Sequence, residues 1–159
     1  MEVNSKALIL STTMCLAITG CSGGSSRDPE VSVNTIIDGA VADGYLYGAT
    51  VCLDLNDNKQ CDDNEPSTTS RSHGKYTLSL PDSININKHG IVVEVHSSTI
   101  DEDTERVVGR AYVLTSPPGK PEFVSPLSTL VHSTMDRLKV SLEDAENIVK
   151  LNMGYDDDS

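Results

Sequence analysis

The chain is predicted to be mainly β, an antiparallel sandwich followed by a short C-terminal helical pair, and two observations carry that prediction. From residue 31 the apolar residues fall on a period of two or in short β-branched runs, separated by D-G, H-G and Pro/Asp/Asn turn signals. Past the Pro cluster at 116–123 the period becomes helical. The expected strands are V-S-V-N-T-I-I (31–37), Y-L-Y-G-A-T-V-C-L (45–53), K-Y-T-L-S-L (75–80), G-I-V-V-E-V-H (90–96) and V-V-G-R-A-Y-V-L (107–114). Short strands at close spacing with no helix between them suit a sandwich. A weaker strand, S-T-T-S-R (67–71), is expected to pair with 75–80 through the S-H-G turn, where Gly74 supplies positive φ. The acidic run Asp101 to Glu105 reads as a soluble hairpin tip. Ser125 as N-cap with Pro126 behind it starts the first helix, with Leu127, Leu130, Val131, Met135 and Leu138 as its apolar stripe. Ser141 starts the second, with Asp144 closing a capping box, Leu142, Ala145, Ile148 and Val149 as stripe, and Gly154 as the stop signal. The sandwich module is therefore placed at 31–116 and the helical pair at 124–154.

The first twenty residues read as a secretory signal. Lys6 lies in a short n-region before the mostly apolar run A-L-I-L-S-T-T-M-C-L-A-I-T. That run is too short for a bilayer core of about 30 Å and is interrupted by Ser11, Thr12 and Thr13. Its end, I-T-G-C, resembles a bacterial lipobox. The resemblance implies cleavage after Gly20 and a lipid-bearing Cys21, with ordinary signal cleavage and a free Cys21 thiol as the other reading. Ser22, where an inner-membrane retention signal would place Asp, points to the outer membrane. Residues 21–30 then form a Gly/Ser-rich flexible tether.

Residues 54–66, D-L-N-D-N-K-Q-C-D-D-N-E-P, have the donor spacing of an EF-hand-type calcium loop. Asp54, Asn56, Asn58, Asp62 and Glu65 fall at positions 1, 3, 5, 9 and 12, and Gln60 offers its carbonyl at position 7. Calcium takes six to eight oxygens, which this set supplies if Glu65 gives two. Lys59 stands at position 6, where glycine is usual, at a cost of about 1 kcal/mol if the backbone is left-handed there. Asp57, Asp63 and Asn64 are expected to face water. Two readings stand: a calcium site, or a solvated acidic turn. Of the four cysteines, Cys15 leaves with the signal and Cys21 carries lipid, so Cys52 and Cys61 are the candidate disulfide in an exported chain. Closing a loop of about ten residues gives roughly 2.5–3 kcal/mol. Two cysteines at that separation do not match the spacing of a zinc knuckle.

The stretch from Gly48 to Pro81 resembles the prealbumin-like repeats of bacterial surface proteins, above all the calcium-binding B-type repeats of serine-aspartate-repeat adhesins and the carboxypeptidase-regulatory-like modules. The shared pattern is a G-x-T-V strand, a D-x-N-x-[ND]-G-x-x-D-x-x-E-P loop, a Thr-rich strand and a G-x-Y-x-[FL] hairpin. Lys59 departs from the loop glycine, and Ser70-Arg71 from the Thr-Asp before the hairpin. The helical pair resembles the S-P-L-T-T-L-V segment that follows such modules in longer surface lipoproteins, and the end at D-D-D-S reads as a truncated or minimal member. Docking of the two helices on a face of the sandwich is the alternative.

The formal net charge is −12, and Glu2 and Lys6 of the signal cancel. A surface this acidic disfavours nucleic acid and anionic headgroups and favours cations. With no Trp, one Phe and five Tyr, a large aromatic-lined pocket is not expected. No G-x-S-x-G, H-E-x-x-H or phosphate-cradling loop appears, and His132 lies off the helical stripe, which reads as an exposed surface histidine. The expectation is a non-enzymatic, lipid-anchored protein of the bacterial outer membrane with a calcium-stabilised sandwich and a structural or adhesive role. The alternative is an envelope lipoprotein that binds a small molecule or peptide, its acidic loop a plain turn.

Overall fold

The computed structural model describes residues 34–155 of the 159-residue chain. The signal (1–20), Cys21, the tether (21–30) and the first positions of the expected opening strand (31–33) lie outside the described residues. In chain order the elements are β1 (Asn34–Val41), β2 (Leu46–Tyr47), β3 (Thr50–Asp54), β4 (Ser67–Thr69), β5 (Lys75–Pro81), β6 (Gly90–Val95), β7 (Ile100–Asp101), β8 (Arg106–Val107), β9 (Tyr112–Ser116), β10 (Phe123–Val124), α1 (Pro126–Leu138) and α2 (Leu142–Asn152). The sandwich is formed by a three-stranded sheet, β10-β1-β5, and a four-stranded sheet, β4-β3-β6-β9; a small ribbon, β2-β7-β8, flanks them. No helix among the described residues is long and apolar enough to cross a membrane.

Strand β5 shows why the period of two is informative. Tyr76, Leu78 and Leu80 are buried while Lys75, Thr77 and Ser79 are exposed. They meet Ile37 and Val41 of β1, Val51 and Leu53 of β3, and Ile91, Val93 and Val95 of β6 in one core. The Tyr76 hydroxyl donates to the Pro121 carbonyl, which pins the segment before β10, and burial pushes that phenol's pKa well up. Gly39 makes room for this contact, because a Cβ there would lie 2.4 Å from the Pro121 oxygen.

The four-stranded sheet is covered on its second face as well. Alternation turns Cys52, Asp54, Gly90, Val92, Glu94 and Thr115 away from the core, and the register aligns Cys52 with Val92 and Val92 with Thr115. Cys52 and Val92 are nonetheless 0% exposed. Loop 55–66 and α1 lie over them. Helix α1 also seals the free edge of β9: the Thr115 N–H donates to Thr129 Oγ1 (2.8 Å), and Ser128 Oγ donates to the Thr115 carbonyl (2.7 Å). An open edge would otherwise template pairing with another chain. The same two helical positions follow the cap, in which Ser125 and Ser128 form a reciprocal capping box.

Five local expectations are corrected. Strand 67–71 does not pair with 75–80; β4 pairs with β3, and Ser72–Gly74 is a 3-10 turn that carries the chain from one sheet to the other. Buried Ser70 decides this, since its hydroxyl donates to the Leu46 carbonyl (2.7 Å) and accepts from the Ala49 N–H (2.9 Å). Gly74 has φ +61°, as expected, and a Cβ there would meet the Val41 oxygen at 2.0 Å. The strand expected at 107–114 is split into β8 and β9 around Gly109, at φ +75°. The sandwich is not wholly antiparallel, because β10 joins β1 in parallel. In α1, of the five expected stripe residues only Val131 is buried; Leu127, Leu130 and Leu138 are exposed, and the buried set is Val131, His132 and Thr134. His132 is 4% exposed, not a surface side chain. Gly90 explains it: the ring packs where a Cβ would come within 2.9 Å of His132 Cε1.

Two more differ: the strand expected at 45–53 is split into β2 and β3 around Gly48, at φ +87°, and Asp144 closes no capping box, because its carboxylate accepts from the Ser141 hydroxyl (2.7 Å) rather than from the Ser141 N–H. The acidic tip and the end of α2 match. Asp101 closes the tip between β7 and β8, accepting from the Asp103 N–H at 2.9 Å and the Thr104 hydroxyl at 2.9 Å. Helix α2 buries Ala145 and Val149 against Val131. It ends with Gly154 at φ +78°, where the Gly154 N–H donates to the Leu151 carbonyl and the Tyr155 N–H to that of Lys150, a Schellman closure.

Candidate functional site

The 54–65 loop leaves the end of β3 and folds back over the outer face of its own sheet. Disulfide Cys52–Cys61 joins strand to loop, with Cα atoms 5.6 Å apart. The Cys61 N–H donates to Glu94 Oε1 (3.1 Å), a second link between loop and sheet.

Within the loop the oxygens hold backbone amides. Asp54 accepts from the Asn58 N–H (3.1 Å) and the Lys59 N–H (2.9 Å), one on each carboxylate oxygen. Asn56 Oδ1 accepts from the Asn58 N–H, and Asn58 Oδ1 from the Gln60 N–H. Glu65 accepts from the Leu55 N–H at Oε1 (2.7 Å) and the Asp62 N–H at Oε2 (3.1 Å), so position 12 closes the ring onto positions 2 and 9. Asp62 Oδ2 accepts from the amide nitrogens of both Asn56 and Asn58 at 2.8 Å. Hydrogen bonds thus link positions 1, 3, 5, 9 and 12 into one network. Each N–H bond uses one lone pair of an oxygen and leaves another.

Lys59 has φ +62° and Asp57 φ +61°, so the loop does take the left-handed turn at position 6. The lysine has a use there that sequence spacing did not reveal. Its ammonium lies 2.6 Å from Asp57 Oδ1, 3.2 Å from Asp136 Oδ2 and 3.1 Å from His132 Nε2, which ties the loop to α1. Burial pulls the Lys59 pKa down, but hydrogen bonds to Asp57 and Asp136 outweigh it and hold it above the ordinary lysine value. The hydrogen bond from Lys59 holds Asp57 below the usual carboxylate value. Asp57 is exposed, as expected, but is paired with Lys59 rather than free in water. His132 and Asp136, one helical turn apart, were missed; an i, i+4 His/Asp pair off the apolar stripe is the signal that marked them.

Two sets of residues could hold a metal. Asp57, His132 and Asp136 are, among the described residues, the one trio of His/Cys/Asp/Glu donors lying within 4.8 Å of one another. The Lys59 ammonium lies between them and supplies their positive charge. The loop set does not include a trio that tight, although ligands on opposite sides of a calcium ion stand about 5 Å apart. What fits a hard cation there is the donor chemistry. Asp54 is 3% and Glu65 6% exposed, and among the described residues neither carboxylate has a basic side chain in ion-pair contact.

A separate apolar groove of about 710 Å³ lies between β10, α1 and α2, lined by Phe123, Leu127, Val131, Val149, Met153 and Tyr155 among others.

No protein-family model matches the chain, and neither a characterised protein nor a solved structure does, so the loop has to be read from its own geometry.

His132 gives the site a pH dependence. Burial first, then the Lys59 charge, lower its pKa, and Asp136, Asp57 and Asp54 oppose the shift. The unfolded chain therefore takes up a proton at higher pH than the folded one. Stability is retained above the unfolded value of about 6.5 and falls as pH drops below it. Melting temperature followed from pH 7.5 to 5 is expected to decline in the native protein and to be flatter in His132→Gln. Parallel declines in the two proteins would remove His132 as the cause.

Proposed function

We propose that the protein is a non-enzymatic, lipid-anchored component of the bacterial outer membrane whose β-sandwich is stabilised by calcium and serves a structural or adhesive role. The observation that carries this reading is the pair Asp54 and Glu65, two buried carboxylates held by backbone N–H groups alone. The N–H bonds solvate these charges but bring no counter-ion, and a cation in the loop would supply one. Asp54, Asn56, Asn58, Asp62, Glu65 and the Gln60 carbonyl would hold it, and bound calcium would supply two positive charges against three formal negative ones. The residues themselves supply the rest: the backbone N–H bonds aim the oxygens, and Lys59 fixes the far side of the loop. The anchoring half of the proposal rests on the lipobox-like I-T-G-C before Ser22.

A second reading, a ligand-binding lipoprotein, is favoured by the apolar groove beside α1 and α2, where Leu127 and Met153 stay exposed.

Each part has a direct measurement. With a Kd of about 0.1 mM, in the range of extracellular calcium modules, 1 mM calcium adds roughly 1.4 kcal/mol and a few degrees to the melting temperature, reversed by chelator. The shift is expected to vanish in Asp54→Ala and Glu65→Ala and to persist in Asp63→Ala; no shift up to 10 mM calcium leaves a plain acidic turn. Labelled palmitate is expected on the protein in a lipoprotein-processing host and absent from Cys21→Ser; a serine variant that still labels removes the anchor. For the second reading, saturable binding of an anilinonaphthalene sulfonate probe that Leu127→Asp abolishes would support a ligand groove, and absence of binding would retire it.

A further inference from the structure

We propose that the Cys52–Cys61 disulfide and cation binding in the 54–65 loop are thermodynamically linked, so that thiol–disulfide chemistry sets the affinity of the loop for a hard divalent cation. The inference rests on the reading of the loop as a cation site and adds the regulation of that site. Four of the six donors, Asp54, Asn56, Asn58 and the Gln60 carbonyl, lie between the two half-cystines, and Asp62 directly follows Cys61. The bond therefore ties position 8 of the loop to the strand that delivers position 1.

The two ends differ in how firmly they are held. Cys52 is 0% exposed in the middle of β3, paired with Ser67 on one side and Val92 on the other. Cys61 is half-buried in the loop. Cys52 Sγ lies 3.8 Å from the Gln60 carbonyl oxygen, so the bridge packs against a donor atom. In reduction the S–S bond breaks and two S–H bonds form; the two electrons and two protons come from a dithiol reductant, which closes to its own disulfide. Two thiols cannot occupy the space of a bonded pair and separate to ordinary contact distance. Cys52 is fixed by the strand ladder, so the displacement falls on Cys61. Its neighbours Gln60 and Asp62 then move away from Asp54 and Glu65, and the oxygen shell opens. Linkage is reciprocal: the factor by which the disulfide raises cation affinity is the factor by which the cation favours the disulfide.

The test titrates calcium calorimetrically into the oxidised protein and into Cys52→Val/Cys61→Ala, in which valine fills the buried strand position, each shown by circular dichroism to be folded. The expected result is an affinity at least tenfold weaker in the variant. In a dithiothreitol redox titration of the native protein, the midpoint should be about 30 mV more negative in saturating calcium than in chelator for each tenfold in affinity. Equal calcium affinity in the two proteins, or a midpoint indifferent to calcium, overturns the linkage and leaves the cation site standing. If the oxidised protein takes up no calcium at 10 mM, the cation reading itself fails and the linkage falls with it.

Discussion

The ammonium of Lys59 is the point at which loop and helix are joined. It emerges from a left-handed residue in the loop, pairs with Asp57 two residues away, and reaches Asp136 and His132 on α1. None of these pairs would be worth much alone on a wet surface. Here His132 is buried over Gly90, and the sheet face beneath is filled by Cys52, Val92 and Thr115, so α1 cannot shift without disturbing the loop. The residue that breaks the usual glycine pattern of such loops is thus the one that fastens this loop to the rest of the molecule. Backbone strain at position 6 is offset by contacts that glycine has no side chain to make.

The disulfide acts on the same covering layer from the other side. Cys52 and Val92 are as buried as any core residue although they point away from the core. Their cover is a polar segment, residues 55–66, with few apolar side chains of its own. A loop of that composition does not stay on an apolar sheet face by hydrophobic contact. It is kept there by the sulfur bridge, by the Cys61 N–H on Glu94, and by the internal amide–carboxylate bonds that hold its shape.

How far the sequence was legible follows from these facts. Strands β5 and β6 declared themselves by alternation and β-branched runs, because one or both faces meet apolar neighbours. The cysteine pair followed from elimination, and the loop from oxygen spacing, which is local. Pairings that depend on one side chain were not legible. Strand β4 leaves β5 because Ser70 holds the β2–β3 bend, and β10 is two residues whose partner is fixed by the Tyr76 hydroxyl on Pro121. The phase of α1 was misread for a related reason. Periodicity finds the face that seeks an apolar partner, but α1 is covered on two sides, with Val131 and Met135 toward α2 and His132 toward the loop and Gly90, while Leu127, Leu130 and Leu138 stay exposed.

The position of β1 has a mechanical consequence. It is the central strand of its sheet, matched to β5 over seven successive pairs from Asn34↔Pro81 to Ala40↔Lys75, while β10 lies parallel to it at its far end. A pull directed between the start of β1 and the end of β10 draws neighbouring parallel strands past each other. The β1–β5 hydrogen bonds are then loaded together, in shear, instead of opening one after another like a zip. Resistance to traction along that axis grows with the number of rungs that must fail at once, whereas the two-residue β7–β8 ribbon, peeled from its tip, would yield rung by rung.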